Sequence, residues 1–187
     1  MKPFGALGAV SRNKIIEKTE WSNKWTRNSR QYINEITQKY MKVSGRCMNN
    51  LSQMRIQKPA HEIFEAFVDP DKIGNFWFSS SSERWEEGKT VTLRYEEYDA
   101  QGDIDIKEIQ EHNKIVFEWA GDHKVTITFV QEEKGSTIVV VKEEGFDETN
   151  ENLISQLLDN KEGWVYMLTC LKGYMEYGVN LRAALVK

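Results

Sequence analysis

The sequence predicts an α+β fold: a curved antiparallel sheet of about six strands wrapped around a long C-terminal helix, with two short helices after the first strand. Three observations predict it. Between residues 90 and 142, apolar and polar residues alternate and are interrupted by glycine-containing turns, as in strands joined by hairpins. Pro59 and the pair Asp69-Pro70 each open a short run of helical period. Residues 161–177 then hold a sustained helical period, with Trp164, Leu168, Leu171 and Met175 on one face.

Taken in order, residues 51–57 read as the first strand, with Met54 and Ile56 on one face. Ala60, Ile63, Phe64 and Phe67 form the stripe of the first helix, and Glu62 and Glu65 fall outside it. Asp69 caps the second helix, which leads to Ile73, Phe76 and Trp77. Residues 79–82, all serine, read as a polar loop. Val91, Leu93 and Tyr95 alternate, a turn at Gly102 follows, and Ile104 and Ile106 continue the pattern. Ile109 is out of phase with that pair, which predicts a bulge. Ile115, Phe117 and Trp119 share a phase, as do Val125, Ile127 and Phe129 after a Gly121-Asp122 turn; Gly135-Ser136 turns the chain into residues 137–142. Residues 149–160 read as a separate short helix, and Gly178 as the stop of the long one.

Charge divides the chain. The net charge is −4, yet residues 1–47 hold ten Lys/Arg against three Glu, giving +7, and the remainder carries −11. The division predicted is a basic, loosely ordered extension over 1–47, weakly helical from Ser29 to Gly45, and a folded domain over 48–187. A basic amphipathic arm is the competing reading of the extension, and a chain starting near Met48 or Met54 is the other. Residues 4–10 are apolar but broken by Gly5 and Gly8, with no clear cleavage site, so a secretory leader is not expected. The acidic balance argues against a nucleic-acid binder, and no apolar run approaches the roughly 20 residues that span a bilayer. Cys47 and Cys170 form no CxxC pair and no disulfide framework, which fits a reducing, cytoplasmic compartment.

Residues 58–71 (Lys-Pro-Ala-His-Glu-Ile-Phe-Glu-Ala-Phe-Val-Asp-Pro-Asp), continuing to Ile73-Gly-Asn-Phe-Trp-Phe, resemble the START-like helix-grip superfamily, within it the SRPBCC group named for the activator of heat-shock protein 90 ATPase. Trp85-Glu-Glu-Gly88, Ile115-Val-Phe-Glu-Trp119 and Glu162-Gly163-Trp164 agree. The resemblance covers about residues 51–179 and not the first 47. It implies a β-α-α-β-β-β-β-β-α order and an internal cavity that takes lipids, polyketides or flavonoid-like aromatics. Chaperone activation is not carried over, because the activator's chaperone contact uses a separate large domain that this chain has no room for.

Catalytic signatures are missing. No GxSxG elbow, P-loop or GxGxxG occurs. Cys170 lies among apolar helix residues and reads as a structural thiol. His61, His112 and His123 are too scattered for a metal site and read as surface residues. Glu96-Glu97, Glu132-Glu133 and Glu143-Glu144 read as solvated edges, since neighbours on a strand point to opposite faces. Arg94, Glu108 or Tyr95 could serve an enzyme of cyclase or hydrolase type only if the strand phase slipped. Phe76, Trp77 and Phe78 cannot all be expected in one core, so at least one is placed near a mouth. The function expected is therefore non-catalytic binding of a small hydrophobic or aromatic molecule, without cofactor or metal. Its walls are expected from Trp77, Phe78, Tyr95, Phe117, Trp119, Trp164, Met167 and Leu171. The alternative is a protein-interaction or stress-associated module; monomer and dimer both stay open.

Overall fold

The first strand, β1 (Asn50–Ile56), leads through Pro59 into α1 (Ala60–Val68) and α2 (Pro70–Ile73). The computed structural model describes residues 48–182 other than Ala120, Asp122 and the Lys134 side chain. The expectations for the 1–47 extension, its helix and Cys47 lie outside the described residues. Pro59 stands at the cap of α1 rather than inside it, and its side chain offers no capping oxygen. The role passes to Gln131, whose Oε1 accepts from the Ala60 N–H at 2.7 Å. Asp69 caps α2 as expected, its side chain accepting from the Asp71 N–H at 3.0 Å.

The meander follows: β2 (Ser80–Ser81), β3 (Thr90–Tyr95), β4 (Ala100–Gln110), β5 (Lys114–Trp119), β6 (His123–Gln131) and β7 (Thr137–Glu144). The sheet is wholly antiparallel, in the order β1-β7-β6-β5-β4-β3-β2. It has seven strands rather than about six, because part of the serine tract is a strand. Ser80 pairs with Arg94 and Ser81 with Leu93, and the Ser79 and Ser82 N–H groups donate to β3 carbonyls at 2.7 and 2.9 Å. Serine has a low strand preference, so the pairing comes from the sheet edge and not from local propensity. Gly102 is likewise no turn. It lies within β4 opposite Leu93, and the reversal is made by residues 96–99, ending on Asp99 at φ 47°. The bulge falls where Ile109 slips phase, with the register shifting between Ile106 and Glu108.

One face of this sheet is apolar. Cross-strand partners Met54–Val139, Phe129–Val139, Ile115–Ile127, Phe117–Val125, Ile106–Phe117 and Val91–Ile104 form its rows. α3 (Leu153–Tyr177) covers much of it with Trp164, Met167, Leu168, Cys170 and Leu171, and α1 lays Phe64 and Phe67 against Phe129. The separate helix expected at 149–160 is the N-terminal part of α3. Gly178 ends the helix at φ 68°, donating to the carbonyls of Gly173 and Tyr174. The seven-stranded curved sheet, its long helix and the two short helices after β1 make a helix-grip fold.

α3 also protects the β1 edge. Lys161 Nζ donates to the Leu51 carbonyl, Lys172 Nζ to the Arg55 carbonyl at 2.9 Å, and Asn50 Nδ2 to the Leu157 carbonyl at 3.1 Å. Lysines on an edge strand's free carbonyls block pairing with another chain.

Candidate functional site

α3 leaves the sheet unfilled at one end. Between its N-terminal half, the α2–β2 connection and strands β3 and β5 lies a chamber of about 420 Å³. That size holds a small organic molecule. Rings form most of the wall: Phe76, Trp77, Phe78, Tyr95, Tyr98, Trp119, Trp164 and Tyr166. Trp77 is the hub, with ring centroids 4.6 Å from Phe78, 5.4 Å from Trp164 and 6.4 Å from Trp119. Edge-on and tilted contacts of this kind hold rings rigidly, each contributing about 0.5–1.5 kcal/mol beyond burial. Met167 adds a flexible thioether, and Gly163 contributes no side chain at all. Phe76, Trp77 and Phe78 all belong to the one buried core, against the expectation that they could not share it, and all three also line the chamber. The chain turns sharply after α2, so three successive side chains surround one space.

Of the eight residues expected on the wall, Trp77, Phe78, Tyr95, Trp119, Trp164 and Met167 line this chamber. Phe117 and Leu171 do not. Both are fully buried in the core, with Phe117 packed on Trp85 at 5.6 Å. Their phase is that of the wall residues, but Phe117 lies two residues along β5 from the chamber and Leu171 one turn of α3 deeper.

The polar side of the site was missed. Glu143 is no solvated edge: it is 0% exposed. It shares the inward phase of Val139 and Val141. Trp164 Nε1 donates to its Oε2 at 2.7 Å; Trp119 Nε1 and Asn160 Nδ2 donate to Oε1 at 3.3 and 2.9 Å. His123 Nδ1 lies 3.0 Å from Oε1, so this histidine is half-buried and partnered rather than a free surface group. The two indole N–H groups, which need a partner when buried, thus share one carboxylate. A second hollow of about 270 Å³ opens here, walled by Trp119, His123, Glu143, Gln156 and Asn160.

At the chamber's other side, Arg182 grips Glu97 with two bonds of 2.6 and 2.7 Å and the Gly74 carbonyl at 2.9 Å. The Arg182 guanidinium holds the Glu97 carboxyl well below its usual range, at about 2. Burial pushes the Tyr95 hydroxyl up to about 12 and raises the Cys170 thiol, so both stay protonated near neutrality. Arg94 is exposed, and Glu108 pairs with Lys114 at 2.8 Å away from the chamber. Among the described residues, no group of three or more His, Cys, Asp or Glu is placed to hold a metal ion. No helix among them is long and apolar enough to cross a membrane.

Fold and chamber together define a helix-grip protein with an open, aromatic-walled cavity. The chain belongs to the family described as Activator of Hsp90 ATPase homolog 1-like protein, whose model matches residues 57–176. Among solved structures it is similar to SSP2350 from Staphylococcus saprophyticus, at 52% identity over 72% of this chain and 96% of that one, with a TM-score of 0.66. It shares the fold of the Aha1 dimer from Colwellia psychrerythraea at 17% identity, TM-score 0.62, over 70% and 98% of the two chains. CalU16 from Micromonospora echinospora matches at 17% identity, TM-score 0.57, over 72% and 78%. A search of curated proteins found no match.

Proposed function

We propose that this protein binds a small hydrophobic or aromatic molecule, without chemical conversion, in the chamber between the sheet and α3. The observation that carries the reading is a space of about 420 Å³ walled by aromatic rings, in a domain whose other apolar rows are packed under α3 and α1. Burial supplies the affinity, at about 25 cal/mol per Å² of apolar surface hidden. Family membership supports the reading, since the helix-grip architecture brackets a cavity of this kind. The test is native mass spectrometry of the protein purified from its source, with tryptophan fluorescence during titration by a flavonoid and a fatty acid. A retained small-molecule mass, or saturable quenching abolished by Gly163→Leu, is expected. A bare mass with flat titrations of both ligands would sink the reading.

A second reading has its own observation. Ile154, Leu158 and Val165 lie on one face of α3 and are 62%, 64% and 44% exposed. Such a stripe suits a protein partner or a second copy, and the Colwellia relative is described as a dimer. Sedimentation velocity of the wild type and of Leu158→Glu tests it. A dimer that the variant splits favours this reading, and a monomer throughout removes the second copy.

A further inference from the structure

The chamber and the polar hollow are neighbours that share Trp119 and Asn160. A ligand passing between those two residues would lay its apolar body among the rings and a polar end in the hollow. Resting on the chamber reading above, we propose that the hollow is a subsite for a protonated amine, so that the ligand is an apolar or aromatic amine.

The hollow's chemistry selects that end. Glu143 sits in its wall, fully buried, where water screens a charge poorly. Three of its partners, the Trp119 and Trp164 indole N–H groups and the Asn160 amide N–H, donate to it, so the carboxylate is the acceptor of the cluster. Asn160 spends its N–H on Glu143, and its carbonyl oxygen accepts no hydrogen bond among the described residues. The Gln156 side chain makes none among them either. No lysine or arginine lines the hollow, and the nearest chamber cation, Arg182, is already engaged by Glu97. His123 points its Nδ1 at Glu143. What remains for a ligand is the Asn160 carbonyl oxygen, the Gln156 amide, which can turn its oxygen toward a donor, the Glu143 carboxylate behind them and the indole of Trp119. Amide oxygens accept from an ammonium, the carboxylate attracts it, and an indole face takes a cation well. A ligand carboxylate could accept from the Gln156 amide N–H but would meet the Glu143 carboxylate, a charge of the same sign. A hydroxyl gains the hydrogen bond but little of the charge.

Three probes with one body separate these cases: 2-(1-naphthyl)ethylamine, 2-(1-naphthyl)ethanol and 1-naphthylacetate, titrated calorimetrically into the full chain at pH 8. The amine is expected to bind about tenfold more tightly than the alcohol, and the acetate most weakly. Gln156 is exposed on α3, so its variants test the site without disturbing the core. Gln156→Glu should widen the amine's advantage several-fold, and Gln156→Lys should erase it. Equal binding of all three probes overturns the subsite and leaves the chamber reading standing, as does tightest binding of the acetate. Failure of the amine to bind overturns the subsite too. The chamber reading falls with it only if the flavonoid and fatty-acid titrations are also flat.

Discussion

Glu143 lies in phase with Val139 and Val141, so the pleat turns its carboxylate into the core and not toward solvent. Burying a charge is costly unless hydrogen bonds replace the lost water. Four partners do so here, and two of them are tryptophans that wall the chamber. The carboxylate therefore sets the tilt of the Trp119–Trp164 pair, whose centroids are 5.3 Å apart. Glu143→Ala removes the acceptor and leaves two indoles and an amide unsatisfied. We expect it to cost about 3–5 kcal/mol, read by urea denaturation, and to change the near-ultraviolet circular dichroism of the tryptophans. Glu143→Gln keeps one acceptor oxygen and should cost about 1–3 kcal/mol. A loss below about 1 kcal/mol for the alanine variant would mean that the network contributes little. This residue was legible in principle. Extending the alternation of β7 by one step places Glu143 inward; pairing it with Glu144 as an acidic doublet hid that. Its four partners come from β5, β6 and α3, and no local pattern announces them.

Elements were legible wherever a period ran long enough to outvote single residues. The stripes of α1 and α3 and the phases of β3, β5 and β6 fall where the alternation puts them, and even the β4 bulge showed as a slip at Ile109. Ser80–Ser81 and Gly102 instead take their structure from neighbours across the sheet, against their own local preference, and the break expected between residues 160 and 161 is bridged because the helix simply continues. The chamber was legible only in part: ring phase placed Trp119 and Trp164 correctly, but how far α3 stands from the sheet is a packing property. Two glycines show the difference between open and closed space. A Cβ on Gly163, within α3 and on the chamber wall, would meet nothing within 4 Å. Gly163→Ala should therefore stabilise the protein by about 0.5–1 kcal/mol through helix propensity alone. A Cβ on Gly74 would sit 2.9 Å from the backbone oxygen of Ser79. Gly74→Ala should cost about 1–3 kcal/mol, because backbone and not a flexible side chain must give way. Thermal melts of the two variants should move in opposite directions, and a shared direction would contradict the local geometry.

At the scale of the whole molecule, the chamber is closed by chain segments far apart in sequence. Arg182, beyond α3, ties the Gly74 carbonyl after α2 to Glu97 between β3 and β4, and also donates to Ser79 Oγ at 3.2 Å. Tyr166 donates to the Leu181 carbonyl at 2.5 Å, which holds the same C-terminal segment against α3. This latch has a pH signature. The Arg182 hydrogen bonds lower the Glu97 carboxyl to about 2 from an ordinary value of 4.5, while Arg182 itself is raised and stays charged. A carboxyl lowered in the folded state stabilises it fully above the unfolded value and loses that contribution as pH falls toward the folded one. Melting temperatures of the wild type and Glu97→Gln, compared from pH 7 to pH 2, isolate this pair from the other lowered carboxylates, which both proteins share. The difference should be constant above about pH 5 and shrink from about pH 4.5 toward pH 2. Because Glu97 stands at the surface, 1 M salt should also reduce it. A difference that persists unchanged to pH 2 would assign the latch to packing around Arg182 rather than to its charge.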